Sequence, residues 1–223
     1  MPQMLLKRWI EEASKNFRTQ KFQGIHHDLE KGMMVLDIGV WSKFPEPHSS
    51  ENWLEKQKTG KGLLIAVGLE PMQDFAKKYL HVICVQANGC TLPFANRSVD
   101  IAVSNAVLEH VPQTLQRDFV REISRVSRMH AVLTVPDRFC PLEVHSRILF
   151  LHWFSNWRRW FAFIGEGYWS LKENLSTIFT KKNLESCLAG ADADGKWSVN
   201  RIRFLGIPIS LIAKFVPNNK KGE

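Results

Sequence analysis

Five short apolar runs constrain the fold of this 223-residue chain more than any other feature. They lie at 33–38, 63–69, 82–85, 99–103 and 131–135, and they are rich in β-branched residues. They lack the regular polar alternation of a strand with one solvated face, which is typical of strands covered on both faces. A sheet covered on both faces is mostly parallel, and its strands are joined by helical crossovers.

The segments between these runs carry helix signals. The clearest lies at 113–127, where four apolar residues share one helical face: Leu115, Phe119, Ile123 and Val126. Ser49 and Ser50 favour a capped short helix that runs to about Lys58. Residues 71–79 predict another helix, with Pro71 in its first turn.

The last part of the chain predicts an antiparallel hairpin. Residues 199–215 read as two strands joined at Gly206, Ile207 and Pro208. Together with the five runs, they predict an α/β fold with a doubly wound, mostly parallel, seven-stranded Rossmann-like sheet and a C-terminal antiparallel hairpin.

Composition narrows the class of protein. Apolar residues make up 44% of the chain and charged residues 23%, which excludes general disorder. The four cysteines form no CxxC pair, so a disulfide scaffold and a zinc ribbon are excluded. The first residues show no secretory signal and no run of 18 apolar residues occurs, so we expect a cytoplasmic protein. The net charge of +8 is spread along the chain, which argues against a nucleic-acid partner.

The candidate site residues lie where the apolar runs end, because ligands of open α/β sheets bind beyond the carboxyl ends of the strands. The first run ends in VLDIG, and the second leads into GLEP. The third run is followed by QANGCTLPFANRSVDIAVSNAVLEHV, which includes the fourth run. REISRVSR follows on the predicted helix. This ordered set, over about residues 33–136, resembles the class I S-adenosylmethionine-dependent methyltransferases, specifically the type-11 methyltransferase domain family. Its most specific part is 92–111.

The resemblance implies a domain organisation and a cofactor, S-adenosylmethionine. We expect one methyltransferase-like domain over 1–223. Its parts are an N-terminal helical segment at 1–30, a cofactor-binding core at 33–136, an aromatic helical cap at 137–180, and a terminal helix and hairpin at 181–216.

The resemblance also implies roles for single residues. Asp37 and Gly39 would lie under the methionine part of the cofactor, and Glu70 would accept hydrogen bonds from the ribose hydroxyls. The remaining cofactor contacts would come from Ala87, Asn88, Gly89, Asn105 and Ala106.

Catalysis would rest on His110, the titratable side chain after the fourth strand that is suited to proton removal near neutrality. Structural alternatives stand beside these roles. Asp37 could accept backbone N–H groups, Glu70 could favour the next helix N-terminus, and His110 could hold its loop.

The loop after the first strand departs from the family pattern, and this departure favours a different function. The family has a glycine-rich loop after the first strand, whereas this chain reads Gly39-Val40-Trp41-Ser42-Lys43. Bulky residues stand where the cofactor needs room. The alternative to an enzyme is therefore a catalytically silent, methyltransferase-like binding or scaffold protein.

An aromatic segment follows the fifth strand. Residues 136–169 hold half of the eight tryptophans, and PDRFCPLEVH resembles a stretch in one branch of the family. That resemblance implies substrate contacts by Glu143, His145 and His152, whose spacing is not a metal-ligand frame. The segment suits a buried helical cap or a peripheral membrane contact. The acceptor of the methyl group is open among small molecules and lipid- or glycan-linked groups.

Overall fold

The computed structural model describes residues 22, 24–43, 52–57, 60–141, 150–153, 175–191, 193–204 and 206–218. The N-terminal apolar stripe, most of the aromatic cap, Glu143 and His145 lie outside these residues. The chain divides into two compact units, Met1–Asn88 and Gly89–Glu223.

The described residues of the first unit include helical residues at 24–30, followed by three parallel strands and one short helix. They are β1 (Met34–Ile38), β2 (Leu63–Gly68), α1 (Gln73–Lys78) and β3 (Val82–Gln86), with β2 between β3 and β1. The centres of β1 and β2 are buried, as the continuous apolar runs predict. Strand β3 corrects that prediction, because it is an edge strand and its Ile83 is 47% exposed.

The first unit corrects one predicted helix. Residues 52–57 form turns instead of the helix predicted to run to about Lys58. Asn52 has a φ of 52°, in the left-handed region, and the amide of Lys56 bonds to its carbonyl over 3.2 Å while that of Gln57 bonds to Leu54 over 3.0 Å. A left-handed residue at this position does not start a right-handed helix.

The described residues of the second unit form four strands, two helices and a 3₁₀ turn. They are β4 (Val99–Asn105), α2 (Gln116–Val126), β5 (Ser127–Pro136), the 3₁₀ turn (Leu151–Trp153), α3 (Lys181–Ala189), β6 (Gly195–Phe204) and β7 (Ile207–Pro217). Strands β4 and β5 are parallel, whereas β7 is antiparallel to both β5 and β6. The predicted α/β fold class, with a seven-stranded mixed sheet and a C-terminal antiparallel hairpin, is confirmed.

Helix α2 buries the face that the spacing of its apolar residues predicts. Phe119, Ile123 and Val126 are buried along one face, as their spacing predicts. The helix begins three residues later than expected, because the amide of Leu115 closes a turn onto Pro112 over 2.8 Å. Leu115 is therefore outside the helix and exposed. Among the described residues, no helix is both long and apolar enough to cross a membrane.

Candidate functional site

Asp37 lies one residue before the end of β1, paired in register with Ala66 of β2. Its carboxyl group forms a hydrogen bond with the carboxyl group of Glu55, which is completely buried. Burial raises the pKa of Asp37 to about 7. The hydrogen bonds that Asp37 makes with the Glu55 side chain and with the backbone of Ile38 lower this pKa, but by less than burial raises it. The site therefore holds two acidic groups that do not both ionise at neutral pH.

Gly39 makes the turn that follows β1. Its φ is 92°, and its amide and that of Val40 both donate to the carbonyl of Val67, over 2.8 and 3.2 Å. An L side chain rarely adopts this φ, which accounts for a glycine at this one position of the loop.

Asn52 holds the loop that replaces the glycine-rich pattern. Its side-chain oxygen accepts from the amide of Trp41 over 2.9 Å, and its side-chain nitrogen donates to the carbonyl of Trp41 over 2.8 Å. The loop shape is thus fixed by two side-chain bonds, and Ser42 beyond it is buried. The sequence analysis missed Asn52, whose partner is 11 residues away.

Glu70 follows β2 and is 50% exposed. Lys43, the last described residue of the loop, donates to its carboxylate over 3.2 Å. Glu70, which is expected to bind the ribose, therefore forms an ion pair with Lys43 of the loop that departs from the family pattern.

The residues that follow β3 lie at the carboxyl end of the third strand of the first unit. The amide of Ala87 donates to the carbonyl of Gly68 over 3.0 Å, and Gln86 reaches the carbonyl of Leu69 over 3.4 Å. Asn88 is exposed. The structure thus gathers five predicted site residues at the carboxyl ends of β1, β2 and β3: Asp37, Gly39, Glu70, Ala87 and Asn88.

In the second unit, Gly89 opens a loop that α2 holds in place. Arg125 donates to the carbonyls of Phe94 and Leu92 over 2.7 and 3.2 Å. Glu122 pairs with Arg125 and accepts from the amide of Leu92 over 2.7 Å. A single ion pair on one helix therefore positions the loop.

Asn105 and Ala106 lie at the carboxyl end of β4, where β5 positions both. The hydroxyl of Thr134 donates to the side-chain oxygen of Asn105 over 2.8 Å, and the Thr134 carbonyl accepts from the amide of Ala106 over 2.9 Å. Ala106 has a φ of 56°, an unfavourable conformation for alanine. Backbone strain of this kind is concentrated at functional sites.

His110 ends a turn that other parts of the second unit support. The amide of His110 closes the turn onto Val107 over 2.9 Å. Gln116 donates to the carbonyls of Leu108 and Val111 over 3.2 and 3.1 Å. Gln116 also bonds Thr177 and is buried. The sequence analysis missed this residue, whose only signal was a polar side chain on the apolar side of α2.

His152 is the one described member of the predicted substrate set. It is buried, and its Nε2 lies 2.8 Å from the carbonyl of Arg138, so that nitrogen donates. Trp153 donates to the same carbonyl over 2.9 Å. These bonds hold the 3₁₀ turn against the chain that leaves β5; a substrate contact by His152 stays a prediction.

Comparison with known proteins agrees with this arrangement. Residues 54–135 match the model of a methyltransferase domain, so the match begins after the loop that departs from the family pattern. No curated protein matches the chain.

Three solved structures share the fold. A SAM-dependent methyltransferase from Aquifex aeolicus is 16% identical, with a TM-score of 0.54 over 92% of this chain and 98% of that one. A SAM-dependent methyltransferase from Methanosarcina mazei is 18% identical, with a TM-score of 0.54 over 86% and 96%. Phosphoethanolamine N-methyltransferase 2 from Haemonchus contortus, in complex with S-adenosyl-L-methionine, is 11% identical, with a TM-score of 0.55 over 83% and 49%.

Proposed function

We propose that this chain is a class I S-adenosylmethionine-dependent methyltransferase, because residues 54–135 match a methyltransferase domain and its fold is that of solved methyltransferases. It transfers the methyl group of S-adenosylmethionine to a small-molecule, lipid-linked or glycan-linked acceptor. One observation carries the proposal. Asp37 in β1 and Glu70 after β2 present carboxyl groups at the carboxyl ends of neighbouring parallel strands.

The residues of the first unit fit the cofactor. Asp37 supplies an acceptor for its ammonium group, and the half-exposed Glu70 supplies a carboxylate for the two ribose hydroxyls. The left-handed turn at Gly39 carries no side chain that would keep a ligand away from the backbone. Ala87 and Asn88 follow β3 at the same edge, where adenine contacts are expected.

The predicted site residues of the second unit keep the roles that the family resemblance implies. The cofactor, when bound, provides a strongly electrophilic methyl group, so the protein aligns the acceptor, excludes water and removes a proton. In this proposal Gly89, Asn105 and Ala106 contact the cofactor, and His110 accepts the proton of a hydroxyl or amine acceptor.

A binding protein without catalysis is the second candidate function. The observation in its favour is the ion pair between Lys43 and Glu70, together with a first loop that retains one glycine. In this candidate, Lys43 keeps the carboxylate from the ribose and the aromatic segment binds a partner.

Calorimetric titration with S-adenosylmethionine and S-adenosylhomocysteine separates the two candidates. We expect micromolar binding by the wild type and at least tenfold weaker binding by Glu70→Ala, because the ribose loses its acceptor. Asp74→Ala is the matched control, since this acid lies four residues on, is exposed, and pairs with Lys77. No binding by the wild type at millimolar ligand would favour the silent protein, and unchanged affinity in Glu70→Ala would remove the ribose role.

An exposed aromatic patch supports a lipid-linked acceptor. Phe139, Phe150 and Trp153 are 49%, 43% and 46% exposed, and the rings of Phe150 and Trp153 lie 4.9 Å apart. The guanidinium of Arg201 lies 5.4 Å from the ring centre of Phe139 and also forms an ion pair with the buried carboxylate of Asp137. Exposed aromatic rings on a chain with a net charge of +8 suit the interface of an anionic bilayer. We therefore propose that the acceptor is presented at such a surface.

Vesicle co-sedimentation tests this acceptor class. At low salt we expect the wild type to bind vesicles that contain anionic lipid several-fold better than zwitterionic ones, and Trp153→Ala to lose most of that binding. Leu80→Ala is the control, because Leu80 is 87% exposed and lies in the first unit. Equal binding by all three proteins, or none to anionic vesicles, would contradict a membrane-presented acceptor.

A further inference from the structure

Glu55 is a buried acid that the proposed reaction does not use. Its side chain is 0% exposed. No N–H group of another described residue donates a hydrogen bond to either of its carboxyl oxygens. The side-chain hydrogen bond that it makes is to another carboxyl group, that of Asp37. Two carboxylates cannot hydrogen-bond each other, so this contact requires that one of the two acids carry a proton.

The surroundings decide which acid carries it. Burial raises the pKa of Glu55 well above its ordinary value, and the charge of Asp37 raises it further. Its own backbone N–H and the ammonium of Lys56 favour the charged form more weakly. For Asp37, burial raises the pKa to about 7, while the bond to Glu55 lowers it. Glu55 is fully buried whereas Asp37 is only half-buried, so a negative charge is less costly on Asp37. Asp37 is therefore the acid that ionises first, and Glu55 is the donor.

We propose that Glu55 is a positioning residue for the cofactor: it stays protonated at neutral pH, donates a hydrogen bond to Asp37, and so makes Asp37 the carboxylate that receives the ammonium group. The inference rests on the proposed function. A protein acid kept neutral by its surroundings so that it can donate is an established arrangement. Binding of a cation then expels the proton that part of the Asp37 population carries, so affinity rises with pH between 6 and 8.

The turn that carries Glu55 is anchored by the residues that precede it. Leu54 is buried, and Asn52 holds the backbone of Trp41 with two hydrogen bonds. Because Asn52 and Glu55 belong to one turn, the contact to Asp37 and the shape of the loop at Trp41 depend on the same few residues.

Two other described groups interact with the pair. Lys56 is exposed. Cys84 of β3 is the remaining described group that interacts with Glu55. Burial raises the pKa of the Cys84 thiol above 9.0, and Glu55 adds to that rise, so the thiol is neutral at pH 6–8. A pH dependence of binding in this window is therefore assigned to Asp37 and Glu55.

Two variants of Glu55 test the donor role. Glu55→Gln keeps a donor, whereas Glu55→Met has similar volume and none. We measure calorimetric binding of S-adenosylhomocysteine from pH 6 to 8. Wild type and Glu55→Gln should bind about tenfold tighter at pH 8 than at pH 6, since a group with a pKa near 7 goes from about one-tenth to nine-tenths ionised.

The Met variant should have the profile moved to higher pH, with binding about tenfold weaker at pH 7, because Asp37 loses the bond that favours its charged form. Wild type should also release protons on binding at pH 7, seen as a dependence of the binding heat on the ionisation enthalpy of the buffer. The donor role would be overturned if affinity depended on pH in the same way in the wild type and Glu55→Met. It would also be overturned if Glu55→Gln and Glu55→Met lost the same affinity. Thermal melts show whether each variant is folded.

A measurement without ligand separates this inference from the proposed function. The wild type should show an infrared band of a protonated carboxyl group at pH 8 that Glu55→Gln lacks. Absence of the band overturns the inference even where cofactor binds. If the band is present but the wild type binds no cofactor, the proposed function fails and the cofactor role of Glu55 fails with it.

Discussion

The loops that follow the strands are held differently in the two units of this protein. In the second unit, helix α2 holds them: Arg125 and Glu122 hold the loop at Leu92, and Gln116 holds the turn before His110. In the first unit, the loop after β1 is held by Asn52 from an irregular turn. The methyltransferase-domain match starts at residue 54 and includes α2 but not the Gly39–Lys43 loop.

The difference teaches how a loop can lose its glycines and keep a defined shape. A glycine-rich loop follows its path because its backbone is unrestricted. Here one glycine makes the turn, and side-chain hydrogen bonds and an ion pair hold the rest. Four predictions test this comparison.

Asp37→Asn has the largest expected effect, seen in the pH dependence of stability. The pKa of Asp37 is about 7 in the folded chain against an ordinary value of 3.8, so the folded state binds more protons in this window. Stability of the wild type therefore falls as pH rises from about 4 to 7. Relative to the variant, its free energy of unfolding should fall by on the order of 3 kcal/mol, measured by urea denaturation. Asp74→Asn, at an exposed acid, should follow the wild type; parallel curves for wild type and Asp37→Asn would contradict the buried acid.

Arg125→Ala tests the second unit. It removes donors to two carbonyls, to Asn96 and to Glu122, whose carboxylate is 15% exposed. We expect a loss of about 2 kcal/mol in the free energy of unfolding and faster amide exchange at Leu92. Arg125→Lys should recover less than half, because one ammonium cannot replace a forked donor. Full recovery by lysine would show that charge alone holds this loop.

Asn52→Ala tests the first unit in the same way. It removes both bonds to Trp41 and places alanine at a φ of 52°, so we expect a loss of about 1–2 kcal/mol in chemical denaturation. Asn52→Gly removes the bonds but tolerates that φ, and it should cost less. If the two variants lost the same free energy of unfolding, backbone strain at residue 52 would contribute nothing to the effect of Asn52→Ala. If neither lost stability, Asn52 would not hold the loop.

Lys43→Met has the smallest expected effect. Its ion pair with Glu70 is half exposed, so the change in stability should stay below about 1 kcal/mol. Freed of its partner, Glu70 should bind S-adenosylmethionine about twofold more tightly at low salt, and the difference should vanish at 0.5 M salt. Lys77→Met is the control, because Lys77 forms a similar exposed pair with Asp74. Weaker binding by Lys43→Met would show that Lys43 helps to hold the cofactor.

Regular structure was predictable to the extent that its pattern was local. The strand positions followed from continuous apolar runs, and the buried face of α2 followed from Phe119, Ile123 and Val126. The turn at 52–57 was predicted wrongly as helical, because serines signal a cap but do not reveal that Asn52 bonds a residue 11 positions earlier. Leu115 was assigned to the apolar face of a helix that begins one residue beyond it.

For the candidate site too, the features that local sequence indicates were predictable, whereas the contacts between distant residues were not. The resemblance to methyltransferases named residues at the strand ends, and the strand registers place Asp37, Gly39 and Glu70 at one edge of the first unit. Their roles, like those of Asn105, Ala106 and His110, stay predictions. The supporting contacts of Lys43 with Glu70 and of Gln116 with Thr177 join residues 27 and 61 positions apart, and no local pattern announces such pairs.

The sequence by itself determined the α/β class, the order of the strands along the chain and the residue types at their ends, because hydrophobic periodicity and short motifs are properties of neighbouring residues. Only the tertiary structure decided that Glu55 is buried against Asp37, that Asn52 holds Trp41, and that Lys43 pairs with Glu70. Burial and hydrogen bonding between distant residues depend on how the chain packs. The same packing, by withdrawing water from a carboxyl group, decides which acid keeps its proton.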